Sequence, residues 1–217
     1  MSVIDRDERV LLVVANLTKW ADPDFQKLYE WLDQNAVNVA KVMMGLHYRQ
    51  VDALIGPEAT SADFVDRLTT LAQDPQTKAV DVFLHLHGLE NELFFEEGPV
   101  ETSDLGDQLK AADLKERLRL LYSTACFGAT HAADFVRGGF RVVSGAVAIN
   151  ANGPYDYPAQ LFSWGLGQTY RMAVQAGSNP VFMAILDNVA KAMGFDDVNS
   201  RKEIEGRVLT RIITEAD

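Results

Sequence analysis

Between Ala79 and His87 the chain is apolar on both faces of a would-be strand, interrupted only by Asp81 and His85. A run of that kind fits a strand covered on both sides, the habit of parallel sheets flanked by helices. A second apolar run, Arg119 to Ala125, has the same character. The first run ends in His87-Gly88 and the second in Cys126, followed by Phe127-Gly128-Ala129. If the two are neighbouring parallel strands, His87 and Cys126 emerge side by side at one sheet edge. Adjacent strands lie about 4.8 Å apart, which brings such side chains within reach of one substrate.

The rest of the chain alternates in kind. Val10 to Ala15 has strand length and β-branching. Asp22-Pro23 opens a helix with Phe25, Leu28, Tyr29 and Leu32 on one face. Val37 to Leu46 reads as a second strand, and residues 47–59 as a loop. Thr60 or Ser61 caps a helix bearing Phe64, Leu68 and Leu71. Leu93-Phe94-Phe95 and Val100 flank Glu96-Glu97-Gly98-Pro99 as a hairpin, and Ser103-Asp104 begins a helix to about Leu114. A helix over about 129–137 stops at Gly138-Gly139, before a fifth strand from Phe140 to Ile149. Helices over about 158–176 and 179–193 follow, and a last amphipathic helix carries Ile204, Val208 and Ile212. Such alternation predicts an α/β fold: a doubly wound, mainly parallel sheet with helices on both faces. Its sites lie beyond the carboxyl ends of the strands. We expect a single domain over 1–217, with 178–217 as a C-terminal helical extension.

Charge and cysteine usage narrow the function. A net charge of −11 disfavours nucleic acid and anionic membranes as partners, since both need a basic face. No apolar stretch approaches the roughly 18 residues of a membrane span. The charged opening residues lack a signal-peptide pattern. A lone cysteine fits a reducing compartment. Together these predict a cytoplasmic protein.

Chemistry follows from the two strand ends. A helix starting just after Cys126 would favour the thiolate by its N-terminal potential. The backbone N–H groups of Cys126 and Gly88 could hold the oxyanion of a tetrahedral intermediate. His87 would protonate the leaving amine and then activate water. No residue announces itself as the group that orients His87. His85 shares a face with His87 as an accessory, His131 is expected to face solvent on the next helix, and His47 to sit at the same rim. His85-x-His87 with His47, His131 and Cys126 could also ligate zinc, but neither a Cys pair nor a His-Glu-x-x-His pattern supports a metal, and no cofactor is expected.

Leu84-His85-Leu86-His87-Gly88, Ser123-Thr124-Ala125-Cys126 and the segment Phe135 to Gly145 resemble the caspase-like (clan CD) cysteine peptidases, CHAT-type domains most of all. The resemblance covers about residues 80–150. It implies peptide-bond hydrolysis by a Cys126/His87 dyad through an acyl-enzyme, with a peptide or protein as substrate. Thr124 stands where many members with a basic preference carry aspartate, and Asp156, after the fifth strand, falls where specificity loops lie. His85, Thr124 and Asp156 are therefore the candidate substrate contacts. The alternative is a catalytically silent or partner-activated scaffold, with a regulatory protein as partner.

Overall fold

Successive residues of the first strand point to opposite sides of a sheet, and both sides are apolar: Val10, Leu12 and Val14 face one core, Leu11, Val13 and Ala15 the other. This is the sequence reason for a sheet sandwiched between helices. The computed structural model describes residues 3–214. In chain order they form β1 (Arg9–Ala15), α1 (Gln26–Met44), β2 (Gln50–Ile55), α2 (Ser61–Gln73), β3 (Ala79–His85), β4 (His87–Leu89), β5 (Glu92–Phe95), β6 (Gly98–Glu101), α3 (Thr102–Ala111), β7 (Leu118–Ser123), α4 (Gly128–Arg137), β8 (Val142–Ala146), α5 (Gly153–Gly165), α6 (Tyr170–Gly177), α7 (Pro180–Ala192) and β9 (Lys202–Gly206).

The main sheet has the order β2-β1-β3-β7-β8-β9. Its first five strands are parallel and β9 is antiparallel to β8. Helices α2, α3 and α4 cover one face through Phe64, Leu105 and Phe135. Helices α1, α5 and α6 cover the other through Ala40, Trp164 and Ala173. The doubly wound, mainly parallel arrangement expected from the sequence is therefore the one found. Strands β4, β5 and β6 form a small antiparallel sheet, the expected hairpin with one strand added.

Three readings of the sequence are corrected. Val37–Leu46 is not a strand: Asp33, Ala36, Val37, Ala40 and Met44 bury one stripe of α1 at helical spacing. The second strand lies instead at Gln50–Ile55, where the reading had a loop. It is an edge strand, and Arg67 pairs with its Asp52 at 2.7 Å. The third correction falls in the proposed helical extension. Helix α7 forms there, but Lys202–Gly206 is an edge strand of the main sheet, so the segment belongs to the sheet rather than trailing it. Thr60 does cap α2, accepting from the Asp63 N–H at 3.0 Å.

One close approach fixes α4. A Cβ on Gly145 of β8 would sit 2.2 Å from the Gly128 carbonyl carbon. The first turn of α4 thus rests directly on β8, and Cys126 is delivered at a set height above the sheet.

Candidate active site

The chain winds outward in opposite directions from β1, and a crevice opens beyond the strand ends at that switch point. Cys126 and His87 both line the cleft there, with α1 and α5 as its walls. The expectation that the two strand ends meet at one edge is thus met as a shared cleft. Counted from the paired residues Asp81 and Leu120, His87 and Cys126 each lie six residues on, past the ends of β3 and β7.

The turn carrying Cys126 is strained. Phe127 adopts the left-handed conformation, φ 55°, with its N–H bonded to the Ala148 carbonyl at 2.9 Å. A non-glycine residue pays for that region with roughly 1–2 kcal/mol. The main-chain N–H of Asn150 approaches Cys126 Sγ at 3.5 Å, and the Asn150 amide donates to the Thr124 carbonyl at 2.8 Å. Gly88 passes so close that a Cβ there would lie 2.6 Å from the Cys126 carbonyl oxygen. The glycine after His87 therefore has a packing cause: β4 rests on the cysteine turn.

His87 is oriented by a backbone carbonyl. Its Nε2 lies 2.8 Å from the Leu17 carbonyl oxygen. A carbonyl only accepts, so Nε2 carries the proton and Nδ1 is the basic nitrogen of the neutral ring. The Leu17 turn is held in its own right: buried Asp33 accepts from the Leu17 N–H at 2.8 Å, from the Thr18 N–H at 2.9 Å and from Thr18 Oγ1 at 2.8 Å. The Tyr29 ring packs edge-on against the imidazole at 4.9 Å. No sequence pattern could have marked Leu17, because its contribution is a carbonyl that every residue owns.

Electrostatically, burial favours the uncharged form of both Cys126 and His87. Burial raises the Cys126 thiol above its ordinary value near 9, outweighing the Asn150 N–H and the Lys202 charge, which pull the other way. Burial also lowers His87, partly offset by its Leu17 bond and Asp33. The thiolate expected from the helix terminus is therefore not the resting form. Iodoacetamide labelling of Cys126, read by intact mass, is expected to accelerate from pH 7 to beyond pH 9 as the thiol ionises. A rate already level below pH 7 would mean an imidazolium-held thiolate instead.

The remaining candidates are sorted by position. His85 lines the cleft, shares a 3.2 Å hydrogen bond between Nδ1 and Thr124 Oγ1, and lies edge-on to Tyr157 at 4.2 Å. Burial pushes it down to about 3, so it stays neutral in ordinary buffers. Thr124 lines the cleft too. Asp156 does not: it is buried in α5, accepts from the Tyr122 hydroxyl, and stands 3.3 Å from Lys202 of β9. It is a structural carboxylate, which corrects its reading as a loop contact. His131 is buried rather than solvent-facing, its Nε2 donating to the Leu89 carbonyl at 2.7 Å. His47 follows α1 and packs on Gly165 near Arg9, at the opposite end of β1 from the cleft. Among the described residues, no three His, Cys, Asp or Glu side chains gather as metal ligands would. No helix among them is long and apolar enough to cross a membrane.

No family model and no curated protein matches the chain. Solved structures do. Caspase-1 from Spodoptera frugiperda is similar over 97% of this chain and 90% of its own, with a TM-score of 0.57 and 13% identity. The Arg-specific cysteine proteinase gingipain R is similar over 98% of this chain, with a TM-score of 0.60 and 12% identity. This chain spans about half of that gingipain structure, 49%. At such identities the likeness is one of fold: the chain has the caspase-like fold.

Proposed function

We propose that the chain is a cysteine endopeptidase of the caspase-like kind, with CHAT-type domains as the finer likeness carried by the motifs around His87 and Cys126. One observation carries the reading: the only cysteine lines a cleft with a histidine whose ring is fixed by a carbonyl held in turn by a buried carboxylate. That is the logic of a nucleophile, a base and an orienting group.

In this reading Cys126 Sγ attacks the scissile carbonyl carbon while the thiol proton passes to His87 Nδ1. The Cys126 and Gly88 N–H groups stabilise the oxyanion. The imidazolium gives its proton to the leaving amine as the C–N bond breaks, leaving an acyl-enzyme. Water then loses a proton to Nδ1 as its oxygen attacks, and the proton returns to sulfur when the thioester breaks. Starting from a neutral pair needs no separated charge in the resting cleft. It also gives an acidic imidazolium, suited to protonating an amine.

A silent or partner-activated scaffold is the second reading, favoured by the burial that keeps Cys126 protonated. One experiment separates the two. The protein is incubated with a proteome-derived peptide library, new termini are read by mass spectrometry, and intact mass is followed for an acyl adduct on Cys126. The peptidase reading expects both new termini and the adduct. Neither appearing would overturn it in favour of the scaffold.

A further inference from the structure

We infer that the cleft beside Cys126 receives a large uncharged side chain, apolar or aromatic, as the residue preceding the bond cleaved; the inference rests on the peptidase reading above. The cleft encloses about 260 Å³, and no Asp, Glu, Lys or Arg lines it. Leu32, Ala36 and Val39 of α1 form one wall, and Pro154 and Tyr157 of α5 the other.

Its polar groups are neutral. Thr124 Oγ1 and His85 Nδ1 are engaged with one another, His85 Nε2 is buried, and the Asn150 amide is committed to the Thr124 carbonyl. The nearby carboxylates are committed elsewhere. Asp33 accepts from Leu17 and Thr18, and Asp156 accepts from Tyr122 and is ion-paired with Lys202. A guanidinium or carboxylate entering the cleft would shed its water and meet no countercharge on the lining, since Lys202 behind it is already paired with Asp156. An apolar or aromatic side chain would meet walls of its own kind. The selection thus comes as much from rejecting charge as from attracting carbon.

The test is a set of tripeptidyl acyloxymethyl ketones that differ only in the residue next to the ketone: Leu, Phe, Arg or Asp. Labelling of Cys126 is timed by intact mass. Leu and Phe are expected to label on the order of 10²-fold faster than Arg or Asp. Equal rates, or Arg or Asp leading, would overturn the inference and leave the peptidase reading standing. Silence from all four, with iodoacetamide still reacting, would remove the peptidase reading and this inference with it. A second variant tests the wall directly. Val39 is half-buried on α1 and lines the cleft, so Val39→Asp places a carboxylate at that wall. It is expected to raise the Arg-to-Leu labelling ratio at least about tenfold. An unchanged ratio would mean that the α1 wall does not meet this side chain, against the inference.

Discussion

If Cys126 and His87 act as proposed, Cys126→Ala is expected to abolish turnover, and His87→Ala to lower kcat/KM by about 10²–10⁴-fold. The two losses differ in kind. Alanine at 126 removes the atom that forms the acyl bond. Alanine at 87 leaves the sulfur but removes the acceptor for its proton, so attack must wait for the thiol to ionise unaided. Burial raises that ionisation above its ordinary value near 9. Residual activity in His87→Ala is therefore expected to climb with pH past 9. In the wild type the acid limb belongs to His87, since a protonated ring cannot take the thiol proton. Burial lowers His87 from 6.5, so activity should hold at pH 6.5 and fall only below it. The check is kcat/KM against pH for both proteins, on a substrate from the library screen. A wild-type acid limb centred above pH 7, or a His87→Ala profile within twofold of wild type, would contradict this assignment of roles.

The sequence showed the central strands and the candidate cleft residues after them more clearly than it showed the sheet edges. Strands β3 and β7 are central, covered on both faces, and read as apolar runs, so His87 and Cys126, just past their ends, stand out. The edge strands carry no such signal. In β9 only Ile204 is apolar between Lys202 and Gly206, and its spacing to Val208 and Ile212 imitates a helix face. In β2 the polar Gln50 and Asp52 fit an edge half in water. Helix α1 misleads the other way. Val37, Val39, Val42, Met43 and Met44 crowd together as a strand would, yet Val42 is 82% exposed and only the helical stripe is buried. The orienting group of His87 was not legible in principle. It is a backbone carbonyl, positioned by Asp33 from a helix whose first half alone was read correctly. Asp156 was misplaced because the reading began the helix at about 158, whereas α5 starts at Gly153 with Pro158 inside it.

Arg119→Met is expected to cost about 3–5 kcal/mol, a large part of the ~5–15 kcal/mol that holds a domain folded. Arg119 and Asp81 are fully buried and paired in a fork, Nε to Oδ1 at 2.9 Å and Nη2 to Oδ2 at 2.7 Å. Methionine would leave the Asp81 carboxylate with the Tyr48 hydroxyl alone for a partner in that fork. Arg119 also donates to the carbonyls of Ile212 and Thr214, so it ties the C-terminal segment to β7. The double variant Asp81→Val with Arg119→Met removes the stranded charge and should recover more than half of the loss. Full recovery is not expected, because those two carbonyls still lose their donor. Urea midpoints at unchanged slope measure both effects. A single variant within about 1 kcal/mol of wild type would rule the argument out. The pair bears on the site as well as on stability. Pairing between β3 and β7 shifts register between Val80 and Asp81, and Arg119 is the residue stepped over. Such a bulge re-aims a side chain, here bringing Arg119 onto the same face as Leu120 and against Asp81. Without that extra residue, Cys126 would stand one position out of step with His87. The fork that fastens the bulge therefore also sets the register of Cys126 against His87. Arg119→Met is accordingly expected to lower turnover beyond the loss of folded protein, measured at urea concentrations where the variant is still native.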